Sequence, residues 1–271
     1  MGRCFALVGL VVVGLIGLAA GCFSNSEMNR ATQDMKDHLL AGYDPALNLI
    51  RESPNANPHI YWLFSDNYLA SLALRDAEAE TSSAIQTALV SYQYSHSERW
   101  KALEGQVVSA DLFAMGVTAA DITEKEGKLI RTEVPDPQIH MEDWQEYADR
   151  LLMGAINASN RDDGEEGLSL FEKAQEMFDG SGLADKVFEE DGYYATYKLA
   201  LYLLAADKLN IHLPERQDVE SLLLSLQEKN PDSNRFGGIY TEYDGDGKPL
   251  PHTDTNTETT SLVFLALRGD R

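Results

Sequence analysis

Apolar positions along the chain recur mostly at the three- and four-residue spacing of α-helices. Some of these segments are apolar almost all round, which predicts helices that are buried on every side. They cover residues 66–74, 147–156, 193–206 and 260–267. The intervening segments carry charge on one face and are typical of outer helices; they cover residues 81–94, 165–178 and 215–229. The pattern therefore predicts inner and outer helices that alternate along the chain.

Two parts of the chain depart from this alternation. Residues 105–137 combine β-branched pairs, such as Val107-Val108, with prolines, which predicts a small strand pair or an irregular insertion. Near the N-terminus a further helix is predicted over residues 30–41, where apolar side chains recur at a spacing of four.

The N-terminus is typical of an export signal. A run of apolar and glycine residues extends from Cys4 to Ala20 after a short positive start, and its length and small final residues favour a signal peptide. The ending Leu18-Ala19-Ala20-Gly21-Cys22 resembles a prokaryotic lipobox, although Ala19 stands where leucine is usual. The resemblance implies cleavage before Cys22 and attachment of lipid, such as palmitate, to its thiol. The alternatives are an uncleaved anchor and an ordinary signal peptide.

These segments predict a division of the chain into a signal peptide over residues 1–21, a lipid-anchored tether over 22–30 and one folded domain over 31–271. Without the leader, Cys22 is the only cysteine, so the folded body has no thiol chemistry. The predicted location is the cell membrane, facing outside the cytoplasm, with membrane lipid as the partner through Cys22.

The alternating helices resemble the α/α-toroid superfamily, which includes the six-hairpin glycosidases and the terpene-cyclase barrels. The local likeness lies in residues 62–70 (WLFSDNYLA) and in a run that contains Phe236-Gly237-Gly238 and continues to Leu267. The resemblance implies an all-α fold, an incomplete toroid of inner and outer helices with a small β-rich insertion at 105–137. A helical-hairpin solenoid is the alternative, but the inner helices begin at irregular intervals.

In such a ring the inner helices run the same way, so their N-termini meet at one mouth. The resemblance suggests a sugar reaction, which needs two carboxylates across a cleft. The catalytic candidates are Asp66, Asp185 and Glu258. The binding candidates are polar or aromatic residues near the same helix starts: Trp62, Asn67, Trp144, Tyr147, Asp149, Tyr194, Lys198 and Tyr240.

Each of these candidates also has a structural interpretation. Acids at helix N-termini, such as Asp66 and Glu258, often serve as caps. Lys198 and Asp149 interrupt apolar helices, so each needs a partner or a wet cavity, and an ion pair between helices would satisfy both. Aromatic residues at helical spacing often belong to the core.

Composition narrows the possible partners. The chain has 22 Lys and Arg against 44 Asp and Glu, a formal net charge of −22, which argues against nucleic acid as a ligand. Residues 244–248 (DGDGK) resemble the start of a calcium loop but lack its later glutamate, so neither a metal nor a cofactor is predicted.

The leading hypothesis is a membrane-anchored extracytoplasmic lipoprotein that binds or processes a carbohydrate-like polymer. Whether it is an enzyme stays open, with an activity like that of a glycoside hydrolase or lyase as one possibility. The alternative is a non-catalytic scaffold or protein-interaction lipoprotein of helical-hairpin type.

Overall fold

The computed structural model describes residues 24–92, 98–125 and 127–268. The apolar leader and Cys22 lie outside these residues. The α-helices are α1 (Asn25–Ala41), α2 (Leu69–Leu74), α3 (Ala79–Ser91), α4 (Asp111–Ala114), α5 (Ala148–Asn160), α6 (Gly164–Gln175), α7 (Lys186–Asp191), α8 (Thr196–Leu209), α9 (Arg216–Ser225) and α10 (Thr257–Arg268). A π-helical segment (Leu63–Tyr68) leads into α2, and Glu98–Glu104 and Trp144–Glu146 form 3₁₀ helices.

The strands are β1 (Tyr43–Asp44), β2 (Leu49–Ile50), β3 (His59–Trp62), β4 (Met115–Lys125), β5 (Lys128–His140), β6 (Tyr194–Ala195) and β7 (Glu242–Tyr243). β1 pairs with β2, and β6 pairs with β7, as short antiparallel ribbons. β3, β5 and β4 form a three-stranded sheet in that order, in which β3 is parallel to β5 and β4 is antiparallel to it.

A capping box starts α1 within the segment that the sequence predicts to be a tether. The backbone N–H of Glu27 donates to the Ser24 hydroxyl, and the Glu27 carboxylate accepts from the Ser24 backbone at 2.8 Å. These bonds satisfy donors that a helix start otherwise leaves unpaired. Residues 25–30 are therefore helical, and α1 buries Ala31, Met35 and Leu39.

The apolar helices predicted to be inner are confirmed as the core. α5 packs on α8, α8 on α10, and α10 on α2. The helices predicted to be outer cover this row: α3 packs on α2, α6 on α5 and α8, and α9 on α8. α1 packs against α10. Most side chains of α8 and α10 are buried, which explains why their sequences are mainly apolar.

The predicted all-α fold class is wrong, because the chain is mixed α/β. Within the insertion expected over 105–137, β4 and β5 form a long hairpin, and β3 adds a third strand that the sequence pattern did not predict. β3 covers only residues 128–131 of β5. Pro135 and Pro137 lie beyond this stretch, where the described structure pairs β5 with β4 alone, a position at which a missing N–H is tolerated.

The sheet also contacts both ends of the row of inner helices. At the base of the hairpin, Arg150 of α5 donates to the carbonyls of Phe113 and Met115, at 2.7 and 2.9 Å. Near the hairpin tip, β5 pairs with β3 and contacts the π-helical segment before α2. The sheet thus extends from α5 to the start of α2, and the row of inner helices is completed by strands.

Candidate ligand-binding site

Ionisable groups at the N-terminal ends of the buried helices lie close enough for their charges to interact. Tyr197 lies in the first turn of α8, and its phenol pKa is raised well above the ordinary value by burial and then by the charges of Asp149 and Glu258. Those acids lie in the first turns of α5 and α10. Burial and then the charge of Glu258 also raise the pKa of Asp66, which precedes α2. Groups from four helix starts therefore face a common region.

Asp66 is a buried acid without a complete set of partners. Asp66 is 2% exposed, and its Oδ2 atom has no hydrogen-bond partner among the described residues. Burial raises its pKa well above the ordinary value, and the charges of Glu258 and Glu52 raise it further. These effects favour the neutral carboxyl, which can donate as well as accept a hydrogen bond. Asp66 lies in the π-helical segment, a conformation that is frequent at functional sites.

Asn67, predicted to bind ligand, holds the backbone around Asp66. Its Oδ1 accepts from the N–H of Ile50 at 2.6 Å, and its Nδ2 donates to the carbonyls of Ile50 at 2.9 Å and Trp62 at 2.7 Å. The side chain is fully buried, so these bonds satisfy groups that water does not reach. Asn67 therefore positions the neighbouring acid, and its amide is not free for a ligand.

Glu258 is partly accessible and is not a helix cap. Asn256 takes that role, because its Oδ1 accepts from the N–H of Thr259 at 2.8 Å. Within the described part of the chain, no hydrogen bond or ion pair involves the Glu258 carboxylate. Burial raises its pKa to about 7, and Glu133 and Asp149 contribute while Arg99 opposes them. A pKa near 7 leaves this carboxyl protonated in part of the molecules at neutral pH.

The sheet brings further charges to the helix starts. Residues 131 and 133 alternate with buried Thr132 on β5, so Arg131 and Glu133 share one face. Glu133 pairs with Arg99 at 3.0 Å. The Arg131 guanidinium lies 5.7 Å from the ring centroid of Trp62 and donates to Asp121 at 2.7 Å. Trp62, a predicted binding residue, thus adjoins the site.

We call the acids of this region the acidic cluster; its members are Glu52, Asp66, Glu133, Asp149 and Glu258. The sequence predicted Asp66 and Glu258 near one another from the common direction of the inner helices, and it singled out Asp149 as a charge within an apolar helix. It missed Glu52 and Glu133. The alternation along β5 was the available signal for Glu133, whereas Glu52 lies in an irregular loop after β2.

Asp185, a predicted catalytic residue, has a structural role. Its carboxylate accepts from Lys198 Nζ at 2.8 and 2.7 Å and from the N–H of Ala148 at 2.9 Å, and it caps α7. Both charges are almost completely buried. Lys198 is therefore the partner of Asp185 and not of Asp149, and the two side chains hold each other in the core.

The other predicted aromatic residues have partners in the described structure. Tyr194 donates to Asp179 and stacks between Phe188 and Tyr243 in the core. Tyr240 donates to Glu228 at 2.7 Å. Lys186 lies 5.8 Å from the ring centroid of Tyr147, and Trp144 packs against the hydrophobic core. These contacts give Trp144, Tyr147, Tyr194 and Tyr240 structural roles.

Residues 244–248 form a turn in which the polar groups bond to one another. Asp244 Oδ1 accepts from the backbone N–H groups of Asp246 at 3.0 Å and Lys248 at 2.9 Å, and Lys248 pairs with Asp246.

Over residues 24–92, 98–125 and 127–268, no group of three or more His, Cys, Asp or Glu side chains is arranged to hold a metal ion. Within the same ranges, no helix has both the length and the apolar character needed to cross a bilayer.

Comparisons with protein-family models, with curated proteins and with solved structures found no match to this chain. The residues of the site define what it can do. Its chemistry is that of carboxyl groups with raised pKa values beside an aromatic side chain.

Proposed function

We propose that the protein is an extracytoplasmic lipoprotein that binds or processes a carbohydrate-like polymer at the acidic cluster. The proposal depends chiefly on Asp66, a buried acid whose Oδ2 has no partner among the described residues. A buried polar atom without a partner is costly, and a ligand with a hydrogen-bonding group would satisfy it. Sugars supply many such groups.

The two remaining catalytic candidates have complementary properties for acid–base chemistry. Glu258 has a pKa of about 7 because of burial and neighbouring acids, which suits a proton donor at neutral pH. The neutral form of Asp66 is a hydrogen-bond donor of fixed position. Trp62 and Tyr197 add aromatic surface beside these acids. This arrangement supports glycan processing, in which Glu258 exchanges the proton and Asp66 orients the substrate.

A non-catalytic binding role is the second candidate. It is favoured because Asp185, a predicted catalytic acid, is bound to Lys198. Glycoside cleavage needs a proton donor and a second carboxylate on the opposite side of the bond. With Asp185 held by Lys198, that second group must come from the remaining members of the acidic cluster. Binding without turnover needs no such pair.

The test is a glycan-binding and cleavage screen of the full chain, extracted from membranes in mild detergent. The variants are Asp66→Asn and Glu258→Gln, with Glu172→Gln on the exposed face of α6 as the control for removal of one acid. If the protein is an enzyme, Glu258→Gln lowers turnover by about 10²–10⁴-fold. A binder shows affinity without turnover, and Asp66→Asn weakens that affinity. Binding that is unchanged in both variants would overturn the proposal.

A further inference from the structure

We infer that the first residues of α1 and the loop after α9 form a surface that rests on the bilayer to which Cys22 is anchored. This inference rests on the lipoprotein part of the proposed function and names the partner of one surface, a layer of phospholipid headgroups. It is drawn from the short length of chain between Cys22 and α1 and from the hydrogen bonds that fix α1 in the fold.

The chain between the anchor and the folded body is too short to act as a flexible tether. The capping box of α1 begins at Ser24, two residues after Cys22. Two residues span at most about 7 Å even when they are fully extended. A lipid on Cys22 therefore holds the start of α1 beside the headgroups, whereas the tether expected over residues 22–30 would let the body turn freely.

The start of α1 cannot move independently of the body. Gln227 Nε2 donates to the carbonyls of Ala31 at 2.9 Å and Gly237 at 3.0 Å. His38 Nδ1 lies 3.1 Å from the carbonyl oxygen of Phe236, and one face of α1 packs against α10. Because the loop after α9 is bonded to α1, the side of the body that the anchor draws to the bilayer includes this loop.

The side chains on this side of the body suit a headgroup layer. We call them the anchor-side surface; besides the capping pair Ser24 and Glu27, its exposed members are Asn25, Ser26, Asn29, Arg30, Lys229 and Asn230. Four of the six are neutral and polar, and two are cations, although the chain has twice as many acids as bases. The Arg30 side chain is 83% exposed. Anionic headgroups attract such cations.

The other end of α1 leads to the start of α10, where Glu258 lies. The carbonyl of Gly42, which caps α1, accepts from the N–H of Arg51 at 3.1 Å, and the Thr257 hydroxyl donates to the Arg51 carbonyl at 2.7 Å. α1 has 17 residues. At 1.5 Å per residue it is about 25 Å long. An anchored body that stands on the anchor-side surface would therefore turn the start of α10 away from the bilayer.

The experiment compares how closely two points of the body approach the headgroups. The membrane form of the full chain is added in mild detergent to preformed vesicles of phosphatidylcholine and phosphatidylglycerol, in which some headgroups carry a nitroxide. An acylated Cys22 leaves the mature chain without a free thiol, so an introduced cysteine is the only one to react with a bimane fluorophore. Asn230→Cys places the label on the anchor-side surface, and Ala46→Cys places it in the exposed turn between β1 and β2.

The nitroxide quenches only fluorophores that come close to it. We expect the Asn230→Cys label to lose most of its fluorescence and the Ala46→Cys label to keep nearly all of its own. The control is a variant with about ten Gly and Ser residues inserted between Phe23 and Ser24, because a flexible segment of that length reaches roughly 18 Å. The insertion should reduce the loss from the Asn230→Cys label. An undiminished loss would contradict the role given to the short connection.

The outcomes separate this inference from the proposed function. Equal losses from the two labels, or a greater loss from the Ala46→Cys label, overturn the orientation and leave the proposed function standing. A wild-type chain that does not float with the vesicles overturns the lipoprotein part of the proposed function and this inference with it. Both labelled positions are exposed, and thermal unfolding of each variant shows that its fold is retained.

Discussion

Lys198 and Asp185 form a buried ion pair, with Nζ 2.8 and 2.7 Å from the two carboxylate oxygens. The pair joins α8 to the cap of α7, and Asp185 also accepts from the first N–H of α5. A single carboxylate thus fixes the relative positions of two helix starts that carry Asp149 and Tyr197.

Lys198→Met should lower the free energy of unfolding by about 3–5 kcal/mol, because it leaves Asp185 buried without its counter-charge. Urea denaturation at pH 7 measures the loss. The matched control is Lys248→Met, whose partner Asp246 is exposed, and which should cost less than about 1 kcal/mol. Similar stability of the two variants would contradict the structural role given to the buried pair.

Asn67→Ala should destabilise the fold by roughly 2–4 kcal/mol, since it leaves the buried N–H and C=O of Ile50 and the carbonyl of Trp62 without the Asn67 amide. Chemical denaturation gives the value. Asn234→Ala is the matched control, because that amide donates to Asn55 at an exposed position. A loss no larger than that of Asn234→Ala would show that Asn67 does not hold this segment.

The pH dependence of stability follows from Glu258. Its folded pKa, about 7, lies above the ordinary value of 4.5, so the folded state binds the proton more tightly than the unfolded chain. Its contribution to stability is therefore full below pH 4.5 and is lost as pH rises to 7. Glu258→Gln removes this loss, and at pH 8 the variant should be more stable than the wild type by on the order of 2–3 kcal/mol.

Urea denaturation at pH 4, 6 and 8 checks this prediction. The difference between Glu258→Gln and the wild type should be near zero at pH 4 and should grow towards pH 8. Glu172→Gln, on the exposed face of α6, controls for the removal of one negative charge and should show a much flatter difference. A constant difference across the range would mean that Glu258 has an ordinary pKa.

The helices could be predicted from sequence because their signals are local. A side chain three or four positions away in sequence is a neighbour on the same helix, so α5, α8 and α10 each display their burial in a short stretch. The strand β3 has no comparable signal. It has four residues, it follows Pro58, and it is ordered by pairing with residues 128–131, which are distant in sequence.

The candidate site, like the fold, was predictable where helices form it and not where the sheet does. The common direction of the buried helices predicts Asp66 and Glu258 near one another, but the sequence does not show which acid at a helix start is free of a partner. Asp185 and Glu258 look alike along the chain, yet one receives a lysine and the other does not. Glu133 and Arg131 lie on β5. They could not be assigned to the site before the pairing of β5 with β3 and β4 was known.

The lipid anchor is tested by the two cysteines, which lie outside the described residues. If the run Leu18-Ala19-Ala20-Gly21-Cys22 directs lipid attachment, mass spectrometry of the membrane form expressed in a bacterial host should find Cys22 as the acylated N-terminus. Cys22→Ser should abolish both the acylation and the cleavage before residue 22. Cys4→Ser is the matched control, because Cys4 leaves with the signal peptide, and its mature product should equal that of the wild type. Retention of Met1 or an unmodified Cys22 in the wild type would contradict the anchor and leave an uncleaved segment or an ordinary signal peptide as the explanation for the apolar run.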